Sequence, residues 1–271
     1  MESKNHVTRL AYFDQLEGAE LEKALREIHQ DPSLIDPYGR NVVAGHVRGC
    51  GLRFGKLEDA VRKDPLYQEA FQIAKRGTLL NETALMNFFL LLKYSIKDMV
   101  GDIIEFGSYL GGSAVFLAYV AMALGIKGKV YALDTFEGLP EADEHLDFHQ
   151  RGDFKETSFE MVNGISKQLH LNNLVLIKGH FQETFPLICS TIQPLSLVHV
   201  DGVIYSSVKY AMNAVLPYLH PQGGYLVVDD ALYSSCLGAL QAVEEVIQQH
   251  DLHAEQSSPH LIYRCVPSQK S

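Results

Sequence analysis

Three aspartates close two short apolar runs of this chain: Leu197-Val198-His199-Val200-Asp201, and Tyr225-Leu226-Val227-Val228-Asp229-Asp230. Such runs read as buried strands of a parallel sheet, and ligands bind where parallel strands end. A hard divalent cation such as Mg²⁺ takes oxygen ligands in near-octahedral geometry. Asp201, Asp229 and Asp230 would supply half of that shell. Taken singly, Asp201 could cap the helix near Ser206, and Asp229-Asp230 could be turn residues. On strands expected to be sheet neighbours, the three together favour a metal site. A hydroxyl held by such a cation loses its proton more readily, and Asp201 is the nearest candidate base to accept it.

A second constellation lies upstream. Asp102-Ile-Ile-Glu105-Phe-Gly107-Ser-Tyr-Leu-Gly111-Gly112-Ser113 reads as strand, glycine turn, helix. Its spacing is neither G-x-G-x-x-G nor G-x-x-x-x-G-K-[ST], so it offers no lysine for a triphosphate and no diphosphate cradle. Glu105 is placed to meet a cationic amino-acid moiety, directly or through water. The next strand ends at Asp134, where an acid can accept hydrogen bonds from a ribose. A nucleoside joined to an amino acid, without phosphates, describes S-adenosylmethionine. The competing reading makes Glu105 a capping acid and the glycines mere packing.

Other motifs compete for attention. Tyr205-Ser-Ser-Val-Lys209 has the Y-x-x-x-K spacing of short-chain dehydrogenases and makes a nicotinamide-dependent reductase the alternative function. That family's T-G-x-x-x-G-x-G turn is missing. His180 follows Lys178-Gly179 at a strand end and is placed to line the cofactor site. His199 alternates with valines and reads as a core histidine. His145 and His149 lie in an acidic loop after Pro140 and read as surface residues.

The elements that must position these residues alternate from Asp102 onward. Strands are expected at 102–106, 129–134, 174–178, 195–201 and 223–229, with helices at 111–124, 157–170, 181–190, 206–219 and 234–250. This is a doubly wound α/β sheet. Segments 252–257 and 260–265 read as a terminal antiparallel pair, as in many methyltransferases. Before residue 100 the chain reads as helical, with Asn81 an N-cap. The exception is Asp31–Gly55, rich in glycine, which reads as a long loop of the kind that forms a functional lid. His46, Arg48 and Arg53 lie in it.

The net charge of −10 argues against nucleic acid as a general partner. The four cysteines form no C-x-x-C pair and read as reduced thiols of a cytoplasmic protein. The opening Met-Glu-Ser-Lys-Asn-His has no signal-peptide core. The longest apolar run, Phe116 to Ile126, is too short to span a bilayer, so no membrane partner is expected.

The chain resembles the macrocin O-methyltransferase family, whose members use Mg²⁺ and S-adenosylmethionine to methylate sugar hydroxyls of natural products. The matching segments include Ile104-Glu-Phe-Gly-Ser-Tyr-Leu-Gly-Gly-Ser113, Tyr131-Ala-Leu-Asp-Thr-Phe-Glu-Gly-Leu-Pro140 and Gly152-Asp-Phe154. Lys178-Gly-His-Phe-Gln-Glu-Thr-Phe-Pro186, Val200-Asp-Gly-Val-Ile-Tyr-Ser-Ser207 and Gly223-Gly-Tyr-Leu-Val-Val-Asp-Asp230 follow in the family's order. The resemblance implies a class I methyltransferase, Rossmann-like, with a seven-stranded mostly parallel sheet and an antiparallel C-terminal edge strand. It implies that Asp201, Asp229 and Asp230 hold the metal, with Asp201 also the base. It implies that Glu105, Gly107, Ser113 and Asp134 serve the cofactor; Gly111, Phe136 and His180 complete the expected cofactor-binding set. The acceptor would be a small-molecule hydroxyl, a sugar or polyketide-like natural product. Residues 1–77 would form a helical extension and lid, 78–271 the catalytic domain, and the protein a homo-oligomer. Two departures stand out: Val203 where the family usually has an acid, and His180 where it favours tryptophan.

Overall fold

Five parallel strands form where the apolar runs place them: β1 (Asp102–Phe106), β2 (Val130–Asp134), β3 (Leu174–Lys178), β4 (Leu195–Val200) and β5 (Gly224–Val228). The computed structural model describes residues 15–36, 39–52 and 55–265. Arg53 and both ends of the chain lie outside them. Two further strands, β6 (Ala254–Gln256) and β7 (Leu261–Cys265), complete a sheet of order β3-β2-β1-β4-β5-β7-β6. The expected terminal pair is present, but the strand antiparallel to β5 is β7, one in from the edge, and β6 forms the edge itself.

Strand residues alternate between two apolar layers, because successive side chains leave a strand on opposite faces. Ile103, Val130, Leu197, Tyr225, Val227 and Ile262 face one layer. Ile104, Tyr131, Leu133, Val198, Leu226 and Val228 face the other. The first layer is covered by the N-terminal helices α1 (Gly18–Gln30), α2 (Val42–His46), α3 (Leu57–Lys63), α4 (Pro65–Ala74) and α5 (Glu82–Leu90), and by α6 (Gly112–Ala123). α7 (Phe159–Gln168) packs beside β3, and α8 (Phe181–Ile188), α9 (Tyr205–Val215) and α10 (Leu237–His250) cover the second layer. Helix α6 is apolar all round because nearly all of it before its last turn is buried. Each fully buried leucine or phenylalanine in these layers stabilises the fold by about 1.5–3 kcal/mol. Asn81 does cap α5, its side chain accepting from the Ala84 N–H at 2.8 Å. No helix among the described residues is long and apolar enough to cross a membrane.

Within the stretch expected as a loop, 31–55, the described residues from Val42 to Gly51 are helical. Asn41 caps α2 through the Ala44 N–H at 2.8 Å, and the chain continues into a π-helical turn, Val47–Gly51. The glycines that argued for a loop are there for packing. A Cβ on Gly45 would collide with the carbonyl oxygen of Glu255, and one on Gly49 with that of Ser258. This segment therefore lies against β6 and the turn that follows it. None of the described residues between 15 and 77 lines the cavity described next.

Candidate active site

A cavity of about 310 Å³ opens beyond the C-terminal ends of the parallel strands. It sits where β1 and β4 are neighbours although β2 and β3 come between them in the chain. Such a switch point in strand order leaves a crevice for a ligand. Gly107, Ser113, Asp134, His180, Asp201, Asp229 and Asp230 all line it. Gly107 follows β1 at φ 94°, and a side chain there would strike the carbonyl oxygen of Asp201. Glycine is thus what lets the ends of β1 and β4 meet.

The three aspartates converge. Their carboxylates each offer an oxygen, and these oxygens lie within 4.8 Å of one another. The backbone N–H of Asp201 donates to Phe106 and that of Asp229 to Val200, so the sheet ladder itself sets their spacing. Asp230 Oδ2 accepts from the Val203 N–H at 2.7 Å. Asp229 and Asp230 are buried, while Asp201 keeps partial access to the cavity. Burial, then the neighbouring carboxylates, hold the Asp201 carboxyl well above the usual range, and burial with Asp229 pushes Asp230 up as well. No lysine or arginine is paired with any of the three among the described residues. Crowded, buried, like-charged oxygens without a counter-charge fit a divalent cation, which takes carboxylate ligands.

Asp134, at the end of β2, gathers the glycine turn. Its Oδ2 accepts from the Ser108 and Tyr109 N–H groups at 2.7 and 3.0 Å, and its Oδ1 from Phe136 at 2.6 Å. Burial raises its carboxyl and these three donors partly offset the rise. Each carboxylate oxygen can accept more than one bond, so capacity remains for a ligand.

Three of the expected cofactor residues lie off the cavity. Glu105 has no exposure and sits beneath the cavity, bonded to His199 Nδ1 at 2.9 Å and to the Ser108 hydroxyl at 2.8 Å. Gly111 is the left-handed N-cap of α6 and packs on Val162. Phe136 directs its N–H at Asp134 while its ring packs on Phe159 at 5.6 Å. His199 is fully buried in the core.

Other residues join the site unexpectedly. His149, read as surface, lines the cavity, its Nδ1 held 3.2 Å from Asp153 and its ring 5.3 Å from Phe154. Tyr109, Phe154, Tyr233 and Cys236 also line it. The sequence signal available for His149 and Phe154 was the Gly152-Asp-Phe154 segment, which begins three residues after the histidine. Tyr109, Phe154 and Val203, all in the wall, have φ of 48°, 61° and 61°. Left-handed backbone at aromatic or β-branched residues is costly and gathers at functional sites. By contrast, Tyr205 and Lys209 are absent from the cavity lining. Tyr205 OH bonds Glu245 at 2.8 Å and Lys209 pairs with the same carboxylate at 2.6 Å. The Y-x-x-x-K pattern is a helix-to-helix tie between α9 and α10.

Strand order and cavity position together define the class I methyltransferase fold. The chain aligns with the O-methyltransferase NovP at a TM-score of 0.61 and 20% identity, over 97% of this chain and 100% of that one. It aligns with the calicheamicin methyltransferase CalS11 at a TM-score of 0.57 and 19% identity, over 77% and 90% of the two chains. A Streptomyces olivaceus protein, 8-demethyl-8-(2,3-dimethoxy-alpha-L-rhamnosyl)-tetracenomycin-C 4'-O-methyltransferase, is 29% identical over 164 residues, or 55% of this chain. The match spans 62% of that relative's length. The model of the macrocin-O-methyltransferase (TylF) family matches residues 79–258, and the chain belongs to that family.

Proposed function

We propose that this protein transfers the methyl group of S-adenosylmethionine to a hydroxyl of a small-molecule natural product, with a sugar hydroxyl the favoured acceptor. The observation that carries this reading is the convergence, in one cavity, of the Asp134-gathered glycine turn with three crowded carboxylates that no lysine or arginine pairs among the described residues. Asp134, Ser113 and His180 are assigned to the cofactor, and Asp201, Asp229 and Asp230 to a divalent cation. Such a cation, when bound, makes a neighbouring hydroxyl more acidic and fixes its orientation. Asp201 keeps access to the cavity and is the group that accepts the hydroxyl proton. Gly107 lets the cofactor side and the acid side approach, so that donor and acceptor share one small space. A relative that methylates a rhamnosyl group supports the sugar acceptor.

Calorimetry with S-adenosylmethionine tests the first half: binding is expected, and its absence removes the reading. Turnover with a panel of glycosylated polyketides, with and without EDTA, tests the second. Asp230→Ala should abolish turnover while sparing cofactor binding. Full activity in EDTA would overturn the metal assignment alone.

A further inference from the structure

Behind the acid cluster lies a buried histidine that the reaction above does not use. His260 directly precedes β7 and has no exposure. Its Nε2 faces Asp229 Oδ1 at 3.2 Å. Its Nδ1 lies 3.1 Å from the amide nitrogen of Asn87 on α5, itself fully buried. The Asp229–His260 contact is not aligned as a full hydrogen bond, yet neither atom has another hydrogen-bond partner. The Phe88 ring lies 4.8 Å from the His260 ring and 4.7 Å from that of His199.

The proton inventory assigns the tautomer. An amide NH₂ only donates, so His260 Nδ1 accepts from Asn87 and the ring proton sits on Nε2, facing Asp229. With the Asn87 amide reversed, Nδ1 would carry the proton of the neutral ring, and Nε2 would set a lone pair against a carboxylate oxygen. The reversal would pair the amide oxygen, which is otherwise buried without a partner, but would leave both amide protons of Asn87 buried without an acceptor. A carboxylate that ligates a cation is oriented by the hydrogen bonds behind it, and losing such a partner weakens metal binding about 10- to 100-fold.

We infer that His260 is a positioning residue: its Nε2–H, with the tautomer set by Asn87, holds Asp229 Oδ1 and leaves the other oxygen for the cluster. This rests on the reading of the three acids as a cation site. The test is Mn²⁺ binding to the full chain, followed by electron paramagnetic resonance, in wild type and in His260→Leu, His260→Gln and Phe88→Leu. His260→Leu should weaken Mn²⁺ binding about 10- to 100-fold while leaving S-adenosylhomocysteine affinity unchanged. His260→Gln, which restores an N–H donor, should recover most of the loss. Phe88→Leu, which loosens the packing but keeps the relay, should bind as wild type. Equal Mn²⁺ affinity in His260→Leu and wild type, or equal losses in His260→Leu and Phe88→Leu, overturns the inference. A wild type that binds no Mn²⁺ overturns instead the cation reading, and the inference with it. Should His260→Leu not fold, long-range ¹H–¹⁵N spectra of the wild type decide. They should show the Nε2–H tautomer, and a proton on Nδ1 overturns the assignment.

Discussion

Two clusters of buried charge lie in this molecule, and they are built on opposite principles. At the strand tips, Asp201, Asp229 and Asp230 crowd three like charges without a cationic side chain paired to them. Beyond β5, where the N-terminal segment docks, opposite charges meet. Arg48 lies 3.2 Å from Glu255, both side chains almost wholly buried. The Asn41 N–H also donates to Glu255, at 3.2 Å. Arg48 and Arg264 stand 5.3 and 5.7 Å from the ring centroid of Tyr225, at cation–π distance. This cluster, in which two arginines face one glutamate, joins α2 and the turn after it to β6. The cluster of one sign is the one read above as a cation site. A buried cluster of one sign therefore points to a ligand, and one in which opposite signs pair points to architecture.

Substitutions should move the two clusters in opposite directions. The largest effect is expected where opposite signs pair. Arg48→Met leaves Glu255 buried without its partner and should cost about 3–5 kcal/mol, read as a drop in the chemical denaturation midpoint. Replacing Arg48 and Glu255 together by apolar residues should recover much of that loss. If the single variant is as stable as the wild type, the pair is not what docks the N-terminal segment.

The next effect is a pH dependence. His29 bonds the Tyr225 hydroxyl at 3.3 Å, and burial, then Arg48 and Arg264, hold its pKa down to about 3. The unfolded chain takes up this proton near the ordinary value of 6.5, and the folded chain does not. The stability is thus fully present above pH 6.5 and lost as the pH falls toward 3, by up to about 1.4 kcal/mol per pH unit. The ring keeps some solvent contact, which reduces the slope. His29→Gln should flatten the acid limb of a stability-versus-pH curve, and an unchanged limb would remove His29 from the cluster's account.

These two clusters also show what was legible in the sequence. The strands were, because a strand buried on both faces is an unbroken apolar run, and the acids at their ends were found by the same reading. The docking of 41–52 was not. Its glycines are required by the carbonyls of Glu255 and Ser258, more than two hundred residues away, and no local propensity encodes that approach. Glu105 was placed in the cofactor set because its partner, His199, is also remote, 94 residues away. His149 was read as surface because its place depends on how a loop without regular structure folds back, through Gly152 N–H to Leu139 and Leu139 N–H to Asp153.

At the cluster of one sign the effect reverses. Asp229→Asn removes one of three repelling carboxylates and should stabilise the metal-free protein by about 0.5–2 kcal/mol while abolishing turnover. A thermal melt in EDTA reads the gain. A loss of stability instead would mean that the Asp229 contact with His260 outweighs the repulsion.

The smallest effect is expected at Val203, where the cluster of one sign is held by backbone. Its N–H reaches Asp230 at 2.7 Å only because the residue sits at φ 61°, a region that β-branched side chains resist. Asparagine tolerates that conformation through its short polar side chain. Val203→Asn should therefore gain about 1 kcal/mol without moving the N–H, and the affinity of the three acids for Mn²⁺ should hold. Val203 also packs partly against the second apolar layer, so a net loss in the melt would show that this contact exceeds the strain. Proline at the same position removes the donor and cannot adopt the positive φ. Val203→Pro should release Asp230 and weaken Mn²⁺ binding even where the fold survives. The contrast between the asparagine and proline variants separates relief of strain from loss of the hydrogen bond that aims a ligand.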